Sequence, residues 1–187
     1  MVKEEFMVYI LLAEGFEEIE ALTPVDVLRR AGVDVKTVAV GRDYTVKGAH
    51  GIPVKADVLI ADVKDSDISA VVLPGGMPGT KNLDASDEVR GLVRFCADKH
   101  LLICAICAAP SVLGHMRLLV GRKATCFPGF ESELHSSIFT GASVTKDGNI
   151  ITADGPGSAL GFAEAIAAEF VGKDAAHRVV DSMMCRF

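Results

Sequence analysis

The sequence predicts an α/β protein, a three-layer α/β/α sandwich built on a mostly parallel sheet. Three observations carry that expectation. Apolar runs of strand length recur at 6–12, 68–73 and 101–106, and strands buried on both faces read as continuous runs of this kind. Helical patterns separate them, and strands alternating with helices make a parallel sheet covered on both sides, with right-handed crossovers. Residues 101–114 pass from a strand through small residues directly into a helix opened by Pro110, and proline suits the first helical turn because its missing N–H has no partner there.

The elements follow in order. A buried strand over 6–12 leads through the loop 13–16 into a helix over 17–31, closed by Gly32 at the C-cap position. Pro24 inside that helix should kink it or mark a restart capped by Thr23. A second strand covers 33–40. Residues 42–60 read as short antiparallel additions at 44–46, 52–54 and 57–60, with a turn at Lys47-Gly48. The strand 68–73 runs into Pro74-Gly75-Gly76-Met77-Pro78-Gly79. An amphipathic helix over 84–100 then sets Val89, Leu92, Val93, Phe95 and Cys96 on one side. After the 101–114 unit, a strand over 123–127 ends at Pro128-Gly129. Segments 142–145 and 150–153 pair across Lys146-Asp147-Gly148-Asn149. Gly155-Pro156-Gly157 leads into a helix over 158–171, and 173–184 is a closing helix.

At 187 residues the chain reads as one domain, 1–187, large enough for a full core. The net charge of −6 argues against a generic nucleic-acid binder, and the absence of Trp makes stacking platforms for bases unexpected. Five cysteines, an odd number without framework spacing, favour a reducing compartment. No signal-peptide pattern opens the chain and no apolar stretch reaches membrane-spanning length, so a cytoplasmic protein without membrane partners is expected.

In such a sheet, ligands bind outside the carboxyl ends of the strands. Three loops there hold the chemistry-prone residues: 14–20, 74–79 and 107–110. Cys107 stands at the strand–helix junction between Ala105 and Ala109, the layout of a nucleophile elbow. The helix that follows should lower its pKa and favour the thiolate. Inert packing is the alternative, and it is the reading adopted for Cys104, which belongs to the strand body. Cys104 and Cys107 also spell C-x-x-C, but a redox pair normally opens a helix, whereas Cys104 lies inside a strand. Gly75 and Gly76 offer unobstructed N–H groups that, with Ala108 N–H, form an oxyanion nest or simply a tight turn. Glu17 and Glu18 are explained by the helix N-terminus. Glu20 shares a stripe with Pro24, Val27 and Ala31, where a carboxylate must be protonated or paired. From the residues alone a solvated first-turn acid is the simpler reading; partnership with Cys107 is the other. His115 lies two helical turns beyond Cys107 and points away from it. His135 follows 130–134 and could reach the same edge, but nothing in the sequence fixes it there. No spacing suits zinc, so no metal site is expected.

Taken together, Gly15-Phe16-Glu17-Glu18-Ile19-Glu20, Pro24-Val25-Asp26-Val27-Leu28-Arg29-Arg30-Ala31-Gly32, Val71-Val72-Leu73-Pro74-Gly75-Gly76, Ala105-Ile106-Cys107-Ala108-Ala109-Pro110 and Gly155-Pro156-Gly157 resemble the ThiJ/PfpI family. That family lies within the class I glutamine amidotransferase-like superfamily. The nearest likeness is to the branch holding the Parkinson-disease protein deglycase and bacterial ThiJ-type proteins. The resemblance implies a flavodoxin-like sheet with a nucleophile elbow, Cys107 as reactive cysteine and Glu20 as its partner. It implies Gly75, Gly76 and Ala108 as backbone donors, and Gly15, Phe127 and Pro156 as candidate substrate-lining positions. A homodimer is implied, with the first helix near the interface and Arg29 or Arg30 approaching the partner's site. No cofactor is implied. Animal members place a histidine before proline where this chain has Phe127-Pro128, so a Cys–His dyad is not expected there. Cys126 beside it reads as a packed thiol, or as a resolving one.

The activity so implied is a cysteine-dependent, glutathione-independent glyoxalase or protein deglycase acting on small reactive aldehydes or glycated protein side chains. The other class is a redox-sensing stress protein or chaperone whose Cys107 is oxidised to a sulfinic acid.

Overall fold

A computed structural model describes residues 7–185; Phe6, the expected start of the first strand, lies outside them. In chain order come β1 (Met7–Leu12), α1 (Glu18–Arg30), β2 (Asp34–Ala39), β3 (Thr45–Lys47), β4 (Pro53–Lys55), β5 (Val58–Leu59), β6 (Ile68–Leu73), α2 (Gly79–Ala85), α3 (Asp87–Asp98) and β7 (Leu102–Ile106). There follow α4 (Pro110–His115), β8 (Lys123–Ala124), a 3-10 turn (Glu131–Leu134), β9 (Ile138–Phe139), β10 (Val144–Asp147), β11 (Ile150–Ala153), α5 (Ala159–Val171) and α6 (Lys173–Ser182).

Seven strands form one sheet in the order β10-β11-β7-β6-β1-β2-β5, parallel except for β10 against β11. Strand alternation divides the core into two layers. Val8, Ile10 and Leu12 join a cluster with α1 and α5, while Tyr9, Leu11 and Ala13 join one with α3 and α4. The apolar runs lack polar alternation because both faces of each central strand are covered. After β1 the chain goes to β2 on one side and returns to β6 on the other. The crevice between β1 and β6 is therefore a topological switch point, where α/β sheets bind ligands.

Several local expectations are corrected. Pro24 does not mark a restart; α1 runs through it as one helix and Thr23 caps nothing. Packing of Val25, Val27 and Leu28 into the core outweighs the one backbone hydrogen bond that proline omits. The third addition, β5, pairs parallel with β2 rather than antiparallel. The single helix expected over 84–100 is two, α2 and α3, divided at Ser86, whose Oγ accepts the Val89 N–H at 3.2 Å. The strand expected over 123–127 shortens to β8, which leaves the main sheet and pairs with β9.

Candidate active site

The site is built where the loops after β1, β6 and β7 meet. Cys107 follows β7 with φ of +64°, a left-handed conformation that side chains other than glycine rarely adopt and that costs on the order of 1–3 kcal/mol. Neighbouring backbone holds it there: Cys107 N–H donates to Ala153 carbonyl at 2.9 Å, and its carbonyl accepts Phe127 N–H at 2.8 Å. Pro110 then opens α4, with Ser111 Oγ donating to Ala108 carbonyl at 2.7 Å. The tight turn aims the thiol at the switch-point crevice.

Glu20 sits in the first turn of α1 with 0 % of its surface exposed. Its Oε2 accepts Gly75 N–H at 2.8 Å. The carboxyl also interacts with the Cys107 thiol, while Oε1 is buried without a well-formed hydrogen bond among the described residues. Gly76 and Ala108 present their N–H groups to the Cys107 sulfur. Two glycines make this approach possible. A Cβ on Gly75 would lie 2.6 Å from Glu20 Oε2 and 2.7 Å from Cys107 Cβ. Gly76 has φ of +88°, and a Cβ there would meet Glu17 N at 2.4 Å.

Burial pushes the Glu20 carboxyl up to about 7, against the lowering effects of the Gly75 N–H and the thiol. Burial first, and then the charge of Glu20, push the Cys107 thiol up to about 12 despite the Ala108 and Gly76 donors. This reverses the expectation that the elbow helix favours the thiolate. α4 spans only six residues, and its weak dipole is outweighed by desolvation and a neighbouring carboxylate. The two groups titrate as a pair that passes from two protons to one as pH rises through about 7.

The expected donor set is also redistributed. Gly76 and Ala108 serve the sulfur, whereas the Gly75 N–H is spent on Glu20. Gly15 is buried, donating to Lys47 carbonyl at 2.8 Å and accepting from Gly79 at 3.1 Å, so it packs the crevice wall. Phe127, 42 % exposed, borders Gly155 next to half-buried Pro156 and offers no ionisable group. Cys126 is buried, its thiol pushed up to about 12 by burial and by Glu131. Cys104 is fully buried in the β7 core. Arg29 and Arg30 each have a partner in this chain, Asp57 at 2.9 Å and Asp26 at 2.8 Å.

Two arrangements were missed by sequence reasoning. Glu18 is buried and accepts His50 N–H at 2.9 Å, with the His50 ring at 2.9 Å as well, so besides its place at the helix terminus it ties the β3–β4 loop to α1. His115 lies between Asp84 and Glu133. Both depend on long-range partners that no local spacing reports.

The sequence profile of the DJ-1/PfpI family matches residues 7–169. This chain belongs to the DJ-1/PfpI family. Protein dj-1beta of Drosophila melanogaster is 36% identical over 180 residues, covering 95% of this chain and 96% of the relative. Protein DJ-1 homolog A of Arabidopsis thaliana is 36% identical over 96% of this chain. The chain spans about half the length of that relative, 46%. The crystal structure of Drosophila melanogaster DJ-1beta superposes with TM-score 0.91 at 35% identity, covering 98% of this chain and 100% of that one. That of Toxoplasma gondii DJ-1, in an oxidised state, superposes with TM-score 0.90 at 31% identity, covering 97% and 100%. The DJ-1/PfpI fold and the mostly parallel sheet are thus shared over nearly the whole chain. No helix of the described residues is long and apolar enough to cross a membrane.

Proposed function

We propose that the protein is a cysteine-dependent, glutathione-independent glyoxalase or protein deglycase that acts on methylglyoxal or on its protein adducts. The observation that carries this reading is the buried Cys107–Glu20 pair, with Gly76 and Ala108 N–H groups on the sulfur and a carboxyl whose pKa lies near neutrality. A carboxylate poised at the working pH is the proton carrier that nucleophilic thiol chemistry needs.

The thiol sulfur attacks the aldehyde carbon as Glu20 takes the thiol proton, and the carbonyl oxygen is protonated to give a hemithioacetal. Transfer of the C1 proton to C2 through an enediol gives a lactoyl thioester on Cys107, with no external oxidant or reductant. Water then adds to the thioester and releases lactate and the free thiol. With a hemithioacetal or aminocarbinol on a protein, Cys107 displaces the protein's thiol or amine, which leaves with the proton, and the same steps follow. The Gly76 and Ala108 donors stabilise negative charge on the sulfur whenever it is the leaving group.

Lactate formation from methylglyoxal, without glutathione, tests the reading. Wild type turns over, and Cys107→Ser and Glu20→Gln each lose most of kcat. Absence of wild-type turnover above buffer overturns it.

A second reading has its own support. Two backbone donors and an adjacent protonated carboxyl are also a cradle for a cysteine sulfinate, and the Toxoplasma gondii relative has been crystallised oxidised. Stoichiometric peroxide consumption with a stable two-oxygen mass gain on Cys107, and no aldehyde turnover, would favour redox sensing. A homodimer is part of the proposal, supported by Ile19 and Leu22 standing 54 % and 36 % exposed on α1.

A further inference from the structure

The elbow helix ends at His115, whose imidazole is held between two carboxylates. Nδ1 lies 2.7 Å from Asp84 Oδ2, and Nε2 lies 2.8 Å from Glu133 Oε2. Asp84 is itself anchored, its Oδ1 accepting from Arg90 at 2.7 Å. A second imidazole, His135, stands with its ring centroid 5.5 Å from that of His115. One ligand atom from each of His115, Glu133 and His135 can be chosen so that all lie within 4.8 Å of one another.

The chain goes to some length to build this cluster. A Cβ on Gly114 would fall 2.0 Å from Glu133 carbonyl oxygen and 2.8 Å from Leu134 Cα. Only glycine lets the 3-10 turn lie directly against the elbow helix. Leu134, fully buried, pins that turn in the core between its two partly exposed neighbours, Glu133 and His135.

We propose that His115, Glu133 and His135 bind a divalent transition metal of the zinc class. Two imidazoles and one carboxylate are a donor set that zinc and its neighbours prefer, and three protein ligands leave a coordination position open. Asp84 on Nδ1 fixes the tautomer that leaves the Nε2 lone pair for the metal, a role often played by a carboxylate behind a ligating histidine. Metal–ligand distances of about 2.0–2.1 Å put tetrahedral donors roughly 3.4 Å apart. Small side-chain adjustments by the accessible Glu133 and His135 reach that from the observed spacing. A cavity of about 260 Å³, lined by His115, Glu133 and Asp84 together with Thr80, Lys81 and Ser111 but not by His135, adjoins two of the three ligands. Thr80 Oγ1 is buried there without a hydrogen-bond partner among the described residues. The site lies at the far end of α4 from Cys107 and stands independently of the activity proposed above.

The test is a Co²⁺ titration, followed by Zn²⁺ competition against a chromophoric chelator, on wild type and on Cys107→Ser. The expected result is one metal per chain in both, with a cobalt d–d band and no thiolate charge-transfer band. His135→Asn, which keeps a residue tolerant of left-handed backbone, and Glu133→Gln each weaken Zn²⁺ binding by at least ~10-fold, and Asp84→Asn by about 10-fold. Circular dichroism and thermal melting establish that each variant is folded. No stoichiometric binding by wild type, loss of binding in Cys107→Ser, or unchanged affinity in folded His135→Asn and Glu133→Gln overturns the proposal.

Discussion

Burial carries the Glu20 carboxyl from its ordinary 4.5 to about 7, and two consequences follow at the scale of this one residue. The first concerns stability. The folded state holds the Glu20 proton more tightly than the unfolded chain, so the stabilisation is complete below pH 4.5 and is lost as pH rises through 7. The contribution is on the order of 3 kcal/mol. Thermal melts should therefore show wild type losing stability between pH 5 and pH 8 relative to Glu20→Gln, with the variant more stable at pH 8. Equal pH dependence of the two proteins would contradict the buried carboxyl. The second consequence concerns rate. Attack requires the Cys107–Glu20 pair to hold a single proton, so kcat/KM for methylglyoxal should rise as pH increases through about 7. In Glu20→Gln that limb should vanish from the residual activity. A limb that persists unchanged would assign it to another group.

At the scale of elements, the elbow works because neighbouring segments hold it on both sides. Ala153 at the end of β11 and Phe127 after β8 bond the two sides of Cys107, which offsets the cost of its left-handed backbone. α1 tolerates Pro24 because its inward stripe is packed. The break between α2 and α3 belongs to Ser86. Replacing it with alanine removes the Val89 N–H cap and should cost about 1 kcal/mol, a fall in Tm of roughly 2–4 °C for a chain of this size. Methylglyoxal turnover at 25 °C should not change, because α3 packs in the layer of the core on the other side of the sheet from the one Cys107 packs against. Loss of turnover in folded Ser86→Ala would show that the α2–α3 join positions the site.

The whole molecule carries the proposed homodimer. Ile19 and Leu22 are three residues apart on α1 and present apolar surface to solvent from the helix that also holds Glu20. Sedimentation should find a dimer in wild type and a monomer in Leu22→Glu, with the fold retained. A wild-type monomer at micromolar concentration would remove the dimer from the proposal. Because Arg29 and Arg30 already pair with Asp57 and Asp26 in their own chain, a role across the interface would require those pairs to exchange.

The fold class was legible in the sequence because buried parallel strands leave runs such as 68–73, which the structure reproduces residue for residue. The elbow at Cys107 was legible for a similar reason, since small residues and a helix-opening proline are local requirements of a sharp turn. Glu20 stands out on an apolar helical stripe, yet the residues alone favour a solvated first-turn acid; its burial overturns that reading, and only the family resemblance names it the partner of Cys107. What stayed illegible depends on distant chain. The direction of the Cys107 pKa is set by desolvation and by Glu20, 87 residues earlier in the chain, and these overcome the local helix. The recruitment of Gly75 to Glu20, the bridge from Glu18 to His50, and the meeting of His115 with Glu133 and His135 all depend on which loops the sheet order brings together. Local spacing encodes elements; contact between residues far apart in sequence exists only once the layers have packed.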